Sequence, residues 1–491
     1  MKHTLLIILL MAFAAHSKSQ VVMELNLKQA IEIAADSSLQ AFIAKNLYLA
    51  SHWEFRSYKA SRLPSLNLDM TPLQYYRDIT RRYDSDNNID IYREQQSLYS
   101  SGGLSIQQNV DITGGTFFVD SDLTFMRNFG DNTYTQYTSV PIRVGYSQSL
   151  FGFNSFKWER KIEPLKYEKA KKTYLYERES ISEEATEYFF DLATAQAEYD
   201  MAKENIVSTD SLYRIGEERF KIMSIPQSDL MTLRLDALNA RNSLKTAEID
   251  LKRAMFALAS FLNLEENVQI RLKLPEVPAI IDIPVNEALL QAKENNPDYL
   301  EYKQSELEAE RDIDEAKKSV FNVSLYASIG FNQVADNFRK AYKDPSRQDI
   351  ITIGLSVPII DWGVRKGKVN MAQNNLNVAR ISGQQKARVL NNDIIMTLND
   401  FGIQKDLIQS VDEAMDIAII AYNSTKERFK IGKADLSALT LSLNRHKEAQ
   451  QNYISALKNY WLSYYKIRKL TLFDFEKREK LGVEFDGKYG L

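Results

Sequence analysis

The feature that most constrains this 491-residue chain is an internal repeat. Residues 218–222 read Glu-Arg-Phe-Lys-Ile, and residues 427–431 read the same 209 positions later (427 − 218). Residues 145–151 align with residues 354–360 at the same offset of 209 (354 − 145). Two matches at one offset indicate a duplicated unit, so the fold must be one that two copies of a supersecondary unit can build.

The N-terminus has the pattern of a secretory signal peptide. Lys2 precedes an apolar run from Leu5 to Ala15, and small and polar residues follow up to Ser19. We expect cleavage after Ser19, which makes residues 1–19 the signal peptide; a short buried helix is the alternative interpretation. The apolar run is shorter than the roughly 20 residues of a membrane-spanning helix. The sequence therefore predicts an exported protein.

Composition excludes several kinds of site. The chain has no cysteine, which excludes disulfides, thiolate metal sites, a cysteine nucleophile and a lipid anchor on an N-terminal cysteine. The formal net charge of −3 gives no general attraction to nucleic acid. Beyond the signal peptide the histidines are His52 and His446, which are far apart in sequence, and no metal site is expected.

One glycine-containing segment is similar in sequence to a phosphate-binding loop. Residues 363–368 read Gly-Val-Arg-Lys-Gly-Lys, but the glycine spacing is too short and Val369 stands where Ser or Thr is needed. This segment fits better as the corner between a strand and a helix of the second unit. With no motif that supports catalysis, we expect neither an enzyme nor a cofactor.

Long stretches of both units have the periodicity of coiled-coil helices. Apolar residues recur at spacings that alternate four and three, as in residues 181–209, 230–261 and 390–429. A period of 3.5 sustained over several heptads is typical of coiled-coil packing. Many seam positions are alanine, which lets helices approach closely. We expect long helices at about residues 152–222 and 226–264 in the first unit, and 362–430 and 434–470 in the second.

Between the helices lie segments that alternate apolar and polar residues. Within residues 351–359 the odd positions are Ile, Ile, Leu, Val and Ile, and the even ones include Thr, Gly and Ser. Such runs suit a transmembrane barrel strand, and a soluble sheet with one buried face is the alternative. No later apolar stretch approaches 18 residues, so strands would have to carry any membrane crossing. We expect strands at about residues 65–73, 103–127, 139–150, 323–333 and 349–360.

The first unit holds extra material. Residues 65 and 145 are 80 positions apart, whereas the matching residues 324 and 354 are 30 apart, a difference of 50 (80 − 30). The addition contains a hairpin within residues 103–127, with two glycines at its turn. Residues 75–99 are polar, charged and rich in Tyr and Arg, so we expect an exposed loop there. The sequence leaves open whether the hairpin lengthens the barrel or sits above it.

The predicted order of elements is the same in both units: helix, strand, loop, strand, long helix, turn, long helix. A segment with Pro275 and Pro278 separates them, and a short charged tail follows the second. The resulting divisions are a first repeat unit at residues 20–264, a linker at 265–283, a second repeat unit at 284–470 and a tail at 471–491.

Several motifs occur in this order in both units. They are a short amphipathic helix (residues 27–31 and 285–289), a strand beginning near residues 63 and 323, a returning strand ending near residues 152 and 363, and an Arg-Phe turn between the long helices (residues 219–220 and 428–429). This plan resembles the TolC family of outer-membrane efflux and secretion channels over essentially the whole mature chain.

The resemblance implies a mainly α fold with transmembrane β-strands. Its duplicated helix-strand-strand-long-helix-pair unit would assemble as a homotrimer, each protomer giving two strands per unit to a trimeric β-barrel in the outer membrane. A periplasmic α-helical tunnel would continue the barrel. Two strands per unit cannot close a barrel alone, so repetition and trimerisation would serve one purpose.

The implied function is an exit duct for the efflux of small molecules. The implied partners are a periplasmic adaptor protein, an inner-membrane transporter and outer-membrane lipid, and no nucleic acid. A type I protein-secretion duct of the same fold is one alternative. A non-channel coiled-coil protein at the cell surface is the other.

The resemblance also places a gate at the turns between the long helices. Asp229 follows Arg219 by ten positions and matches an aspartate that holds the gate in relatives. Asp435 matches an aspartate that forms a ring across three protomers at the periplasmic entrance. Each aspartate is equally suited to be the N-cap of the helix that follows it.

The second turn departs from the family pattern. Arg428 is followed by Phe429, a phenylalanine where a gating tyrosine is familiar, and Lys433 lies near the usual arginine. We expect Lys433 to pair with Asp229 of a neighbouring protomer. As an exposed ion pair it would contribute only about 0–1 kcal/mol.

Overall fold

The computed structural model describes residues 22–129, 133–265, 268–277, 281–319 and 322–482. The expected signal peptide, residues 1–19, lies outside the described residues. Within the described chain, no helix combines the length and the apolar character that crossing a membrane requires.

Both halves of the chain fold into the same succession of elements: a short strand, two helices, antiparallel strands and two long helices. The first half contains β1 (Val22–Asn26), α1 (Leu27–Ser37), α2 (Leu39–Ala60), β2 (Ser65–Asp84), β3 (Ile89–Val110), β4 (Gly115–Phe129), β5 (Tyr134–Leu150), α3 (Ser155–Lys221) and α4 (Gln227–Phe261). The second half contains β6 (Gln269–Lys273), α5 (Val285–Asn295), α6 (Pro297–Lys318), β7 (Asn322–Ala335), β8 (Ser346–Ser356), α7 (Val364–Lys430) and α8 (Leu436–Thr471). Two short strands follow, β9 (Phe473–Asp474) and β10 (Glu479–Lys480).

The duplication is clearest in the long helices. Helices α3 and α7 are each 67 residues long, and α4 and α8 are 35 and 36 residues long. At about 1.5 Å per residue, the longer pair each extend roughly 100 Å. The corner before α7 is built by Asp361, whose carboxylate accepts the amide of Gly363 at 3.1 Å, and Gly363 has a φ of 89°. Residues 363–368 therefore turn the chain into a helix.

Each repeat opens with two helices, whereas the sequence predicted one. Ser38 separates α1 from α2 and its hydroxyl accepts the amide of Ala41 at 3.1 Å. Asn296 separates α5 from α6 and its side chain accepts the amide of Asp298 at 2.9 Å, while Pro297 occupies the first helical position. The first backbone amides of a new helix have no carbonyl partner in a preceding turn. Side-chain oxygens of Ser and Asn accept hydrogen bonds from such amides. The prediction missed these interruptions because both are single residues inside an amphipathic pattern.

The chain forms two compact units. The helical unit comprises the described residues of Met1–Leu49, Ala170–Tyr299 and Ala387–Leu491. The sheet unit comprises those of Ala50–Lys169 and Leu300–Lys386.

The start of each repeat meets the other in the helical unit. Strands β1 and β6 pair in parallel, with Leu25 opposite Leu272. Helix α1 begins with a reciprocal cap, in which the side chain of Asn26 accepts the amide of Gln29 at 2.9 Å and the side chain of Gln29 accepts the amide of Asn26 at 3.0 Å. Buried side chains of α1, α3, α4 and β6 pack into one core there.

A buried ion cluster fastens the end of the chain in the helical unit. The guanidinium of Arg468 on α8 donates to both carboxylate oxygens of Glu179 on α3, at 3.0 and 3.1 Å, and to Asp474 at 2.8 Å. Burial raises the pKa of Glu179 in spite of the arginine. The cluster therefore joins the tail to the long helices. Removing one of its charges would leave the others buried without a partner, which is strongly destabilising.

The sheet unit contains one antiparallel sheet with the strand order β2-β3-β4-β5-β7-β8. The first repeat supplies four of these strands, as its predicted strand segments and extra hairpin indicated, whereas the resemblance implied two strands per repeat in a barrel. Strands β3 and β4 are the extra hairpin, and they lie between β2 and β5 in the sheet. The extra hairpin is therefore an interior part of this sheet.

Most of the described side chains in residues 75–99 are exposed, as expected, but the prediction of a loop there is wrong. Strand β2 continues to Asp84 and β3 begins at Ile89, and the two strands pair from Ser65 to Asp84 with one irregularity between Thr71 and Gln74. Among the described residues, the part of β3 from Ile89 to Gln95 pairs only with β2, and salt bridges from Arg77 to Glu94 and from Arg81 to Asp90 join these two strands. A hairpin with both faces exposed needs no apolar alternation, so its composition is that of a loop.

Candidate functional site

The first Glu-Arg-Phe-Lys-Ile segment ends α3 with a left-handed residue. Met223 has a φ of 57°, and its amide donates to the carbonyl of Phe220 at 2.9 Å. The amide of Ser224 donates to the carbonyl of Arg219 at 2.8 Å. These two bonds form the Schellman motif, which usually has glycine at the left-handed position. Met223 is 93% exposed, so no packing compensates for its backbone conformation.

The second copy of the pentapeptide ends α7 with the same geometry. Gly432 has a φ of 77° and its amide donates to the carbonyl of Phe429 at 3.0 Å, while the amide of Lys433 donates to the carbonyl of Arg428 at 2.8 Å. The repeated sequence therefore encodes a repeated helix ending. The two turns differ in strain, because glycine adopts the left-handed conformation readily and methionine does not.

The arginines of the two pentapeptides make different contacts. Arg219 reaches the other helical pair: its Nη2 donates to the carbonyls of Phe429 and Lys430 at 3.3 and 3.5 Å, and its Cζ lies 5.6 Å from the centre of the Phe429 ring. Arg428 donates to the carbonyl of Lys433 at 3.4 Å, within its own turn. A cation at the C-terminal carbonyls of α7 is also favoured by the helix dipole. Arg219 therefore links the two helical turns of one chain.

Phe429 lies in a small core shared by the four long helices. It is 6% exposed and clusters with Leu212 of α3, Leu233 of α4, Tyr422 of α7 and Leu439 of α8. Its counterpart in the first turn is 40% exposed. Phe429 thus holds the helical pairs together near their ends.

The two aspartates have different structural roles. Asp435 is the N-cap of α8, and its carboxylate accepts the amide of Ala438 at 2.7 Å. Asp229 is not an N-cap, contrary to that interpretation, because α4 begins at Gln227 after Pro226. Asp229 lies in the first turn, where the helix dipole stabilises a negative charge. Asp229, Asp435 and Lys433 are all exposed.

A cavity of about 160 Å³ lies between the long helices, beside this core and partly lined by it. Its lining includes Asn205, Asp236, Asn239 and Thr440. The Oδ1 atom of Asn205 is buried without a hydrogen-bond partner among the described residues. Partial burial raises the pKa of Asp236. Sequence reasoning missed this cavity because each polar residue occupies an ordinary position beside an apolar seam.

The histidines are engaged in aromatic contacts. His52 lies 3.0 Å from the Tyr167 hydroxyl through its Nδ1, and His446 stacks on Tyr422 with ring centres 5.4 Å apart. Burial lowers the pKa of His446. In the part of the chain that the structure describes, no group of three or more His, Asp or Glu residues is arranged to hold a metal ion.

The six-stranded sheet has one apolar and one polar face. Leu66, Ile106, Val119, Val144 and Ile329 stand opposite one another across five consecutive strands. Four of these side chains are exposed, and further exposed apolar side chains continue the same face: Leu68, Met70, Leu104, Phe117, Ile142, Phe331, Ile351, Ile353 and Leu355.

The adjacent row lies on the polar face. It consists of Asn67, Ser105, Asp120, Arg143 and Gly330, and Arg143 forms a salt bridge with Asp120. An apolar patch on this scale is unusual on the surface of a monomer in water and marks an interaction with lipid or protein.

Comparison with known proteins agrees with this architecture. Residues 288–471 match the family model for outer membrane efflux protein. A stretch of 227 residues is 21% identical to toxin and drug export protein A of Aggregatibacter actinomycetemcomitans, covering 45% of this chain and 48% of that protein. An uncharacterised protein of Haemophilus influenzae is 22% identical over 221 residues, again 45% and 48% of the two chains. The chain thus spans about half the length of the curated relatives it matches.

Solved structures match over nearly the whole chain. The Campylobacter jejuni CmeC outer membrane channel superposes with a TM-score of 0.65 at 16% identity, covering 92% of this chain and 88% of the channel. The outer membrane protein VceC of Vibrio cholerae gives 0.63 at 14% identity, covering 91% and 95%. At these identities the likeness establishes the fold. The resemblance seen in the sequence is confirmed: the chain has the fold of the TolC-family outer-membrane channels, and its residues 288–471 match the model of the outer membrane efflux protein family.

Proposed function

We propose that this chain is the subunit of a trimeric outer-membrane channel, an exit duct for the efflux of small molecules. The observation that carries the proposal is the continuous apolar face of the six-stranded sheet, with a charged face behind it. A sheet that is apolar toward lipid and polar toward a lumen is the arrangement of transmembrane strands. We propose that this membrane is the outer membrane, because outer membrane channels are among the solved structures that share the fold.

The edges of the sheet support an oligomer. Within the described residues, β2 and β8 are the outer strands, and each has one side without a pairing strand. Unpaired backbone groups in hydrocarbon are costly, so each edge calls for a partner strand. A second and third copy of the chain would supply these partners and close a shared barrel.

The helical turns are the proposed gate. Long helices on the periplasmic side would form a tunnel that ends at Arg219, Asp229, Arg428, Phe429, Lys433 and Asp435. A periplasmic adaptor protein and an inner-membrane transporter would engage these turns, and the pairing of Lys433 with Asp229 of a neighbour remains a proposal. A duct of this kind performs no catalysis, so we propose that the chain is not an enzyme.

A protein-secretion duct is the second candidate. It shares the fold, and the relative from Aggregatibacter actinomycetemcomitans is described as a toxin and drug export protein. The two functions differ in cargo and leave different traces in a deletion strain. Loss of efflux raises sensitivity to drugs or detergents, whereas loss of secretion removes a protein from the culture medium.

Fractionation and planar-bilayer recording test the proposal. We expect the mature chain in the outer-membrane fraction, cross-linked trimers in vesicles, and ion conductance after reconstitution. A monomer in the soluble periplasmic fraction would contradict the proposal. A membrane trimer that conducts no ions under any condition would favour a structural surface protein.

A further inference from the structure

The extra hairpin of the first repeat is an interior part of the sheet. Strand β3 pairs with β2 on one side, and β4 pairs with β5 on the other, for example Ser65 with Gln107 and Thr116 with Ser147. Strands β3 and β4 pair with each other from Gln96 to Val110. A hairpin placed above the sheet would leave β2 paired with β5, which is not the observed order.

The hairpin also continues the two-faced pattern of its neighbours. Ile106 on β3 is 43% exposed and lies on the apolar face, between Leu66 and Val119. Ser105 and Asp120 lie on the polar face, next to Arg143. Strands outside a bilayer have no reason to keep this alternation in register with strands inside it.

An inserted pair of strands leaves the topology of the sheet intact. Strand β3 lies between β2 and β4 and is antiparallel to both, so β2 and β4 run in the same direction. With or without the hairpin, β2 and β8 are therefore the edge strands and run in opposite directions. The insertion changes the number of strands and leaves the way in which neighbouring copies join unchanged.

We propose that β3 and β4 are part of the membrane wall, so that each chain contributes six strands to the channel and three copies contribute 18 (3 × 6). This inference rests on the proposed trimeric channel and deepens it. With strands about 4.8 Å apart and tilted by about 40°, 18 strands give a backbone diameter of roughly 36 Å, against roughly 24 Å for 12 strands.

The wider membrane section bears on the size of the cargo. Allowing about 5 Å of side chain on each wall, the lumen would be roughly 26 Å across instead of 14 Å. Each chain still supplies four long helices, α3, α4, α7 and α8. The membrane section therefore admits solutes or polypeptide segments up to that width, and any tighter selection by size takes place at the helical turns.

Single cysteines test the position of the hairpin, because the native chain has none. Ile106→Cys and Ser105→Cys place a spin label on the two faces of β3, and Val144→Cys provides the matched position on β5. The probes are oxygen, which partitions into lipid, and a water-soluble nickel chelate, applied to trimers in phospholipid vesicles. We expect the label at 106 to be accessible to oxygen like the label at 144, and the label at 105 to be accessible to the chelate.

The outcomes separate the two proposals. A chelate-accessible label at 106 with a lipid-exposed label at 144 overturns the six-strand wall and leaves the channel proposal standing. Chelate-accessible labels at both 106 and 144 contradict the channel proposal itself.

A deletion provides a second, independent test. Tyr76 and Tyr134 occupy the same row of the sheet, through Ser97 and Asn128. Replacing residues 77–133 by Asn-Gly, a two-residue turn that suits hairpins, lets β2 pair directly with β5. We expect the largest polyethylene glycol that enters the lumen from the extracellular side to fall by about half in diameter, from roughly 26 to 14 Å. An unchanged size limit in a folded trimer would overturn the inference, and the labelling experiment decides the matter if the deletion variant does not assemble.

Discussion

Replacing Arg219 should loosen the contact between the two helical turns, and Arg428 offers a matched control. Both arginines occupy the second position of the same pentapeptide. Arg219 contacts the second turn through two backbone carbonyls and the ring of Phe429, whereas Arg428 contacts only its own turn among the bonds described. Arg219→Ala therefore removes a link between helical pairs, and Arg428→Ala does not.

The expected magnitude follows from the geometry of these contacts. At 3.3 and 3.5 Å the two hydrogen bonds are long, so we assign about 0.5 kcal/mol to each. A half-exposed guanidinium over an aromatic ring adds about 0.5–1 kcal/mol. The sum, about 1.5–2 kcal/mol, corresponds to a roughly 10- to 30-fold increase in the population with separated turns. The single 3.4 Å bond of Arg428 predicts about 0.5 kcal/mol or less.

Distance measurements between spin labels can detect this change. Met223 and Ile431 are 93% and 66% exposed, so cysteines at these positions carry labels without disturbing a core. We expect Arg219→Ala to broaden the distance distribution and Arg428→Ala to leave it unchanged, with Arg219→Lys between them because it keeps the charge and loses the planar donor group. Equal effects of the two alanine variants would refute the reasoning, since they would show that the contact across the turns contributes no free energy of its own.

Three further predictions concern stability. Met223→Gly should stabilise the first turn by about 0.5–1 kcal/mol, because relief of the left-handed strain outweighs the added chain entropy, and Gly432→Ala should destabilise the second by about 1 kcal/mol; amide hydrogen exchange at the turns measures both. Arg468→Met should lower the free energy of unfolding by about 3–5 kcal/mol in denaturant titration, because it leaves Glu179 and a second carboxylate buried without a cation. Since burial lowers the pKa of His446, its stabilising effect is complete above the unfolded pKa and is lost as pH falls below about 6.5 toward the folded value; protection factors of amides near the turns, which correct exchange rates for their intrinsic pH dependence, should therefore fall as pH is lowered from 7 to 5.

Each of these has its own control. Unaltered amide exchange rates in both Met223→Gly and Gly432→Ala would show that the left-handed backbone at the turns carries no strain. Combining Arg468→Met with Glu179→Gln and Asp474→Asn should recover most of the lost stability, and a loss below about 1 kcal/mol in the single variant would contradict a buried cluster. His446→Phe keeps the stacking on Tyr422 and should flatten the pH response; an equal response in this variant would assign the effect to another group.

The class of fold was predictable because its signals are periodic and repeated. The heptad pattern and the shared pentapeptide indicated duplicated long helices, and the structure adds that the pentapeptide produces the same hydrogen-bonded ending twice. Alternation in residues 351–359 indicated a two-faced strand, and the neighbouring strands align their apolar residues on that face. These features depend on residues close in sequence, which is why they can be predicted from a single sequence.

The functional details were less predictable, since they depend on contacts between distant residues. Asp229 and Asp435 both precede apolar helical patterns, but the N-cap of α4 is Pro226, three residues before Asp229, so Asp229 lies inside the helix. Arg219 and Arg428 have identical neighbours and different partners. Phe429 is buried and the first-turn phenylalanine is not, because only one of them faces the core that four helices build.

The sequence by itself determined the duplication, the long helices, the two-faced strands and the absence of cysteine chemistry, because composition and local periodicity encode them. Only the tertiary structure decided that residues 75–99 are strands and that the extra hairpin lies inside the sheet. Strand pairing is a long-range interaction whose register depends on the neighbouring strand, and a polar hairpin leaves no periodic pattern to read. The number of strands that each chain offers to the sheet was therefore fixed by hydrogen bonds between segments far apart in the sequence.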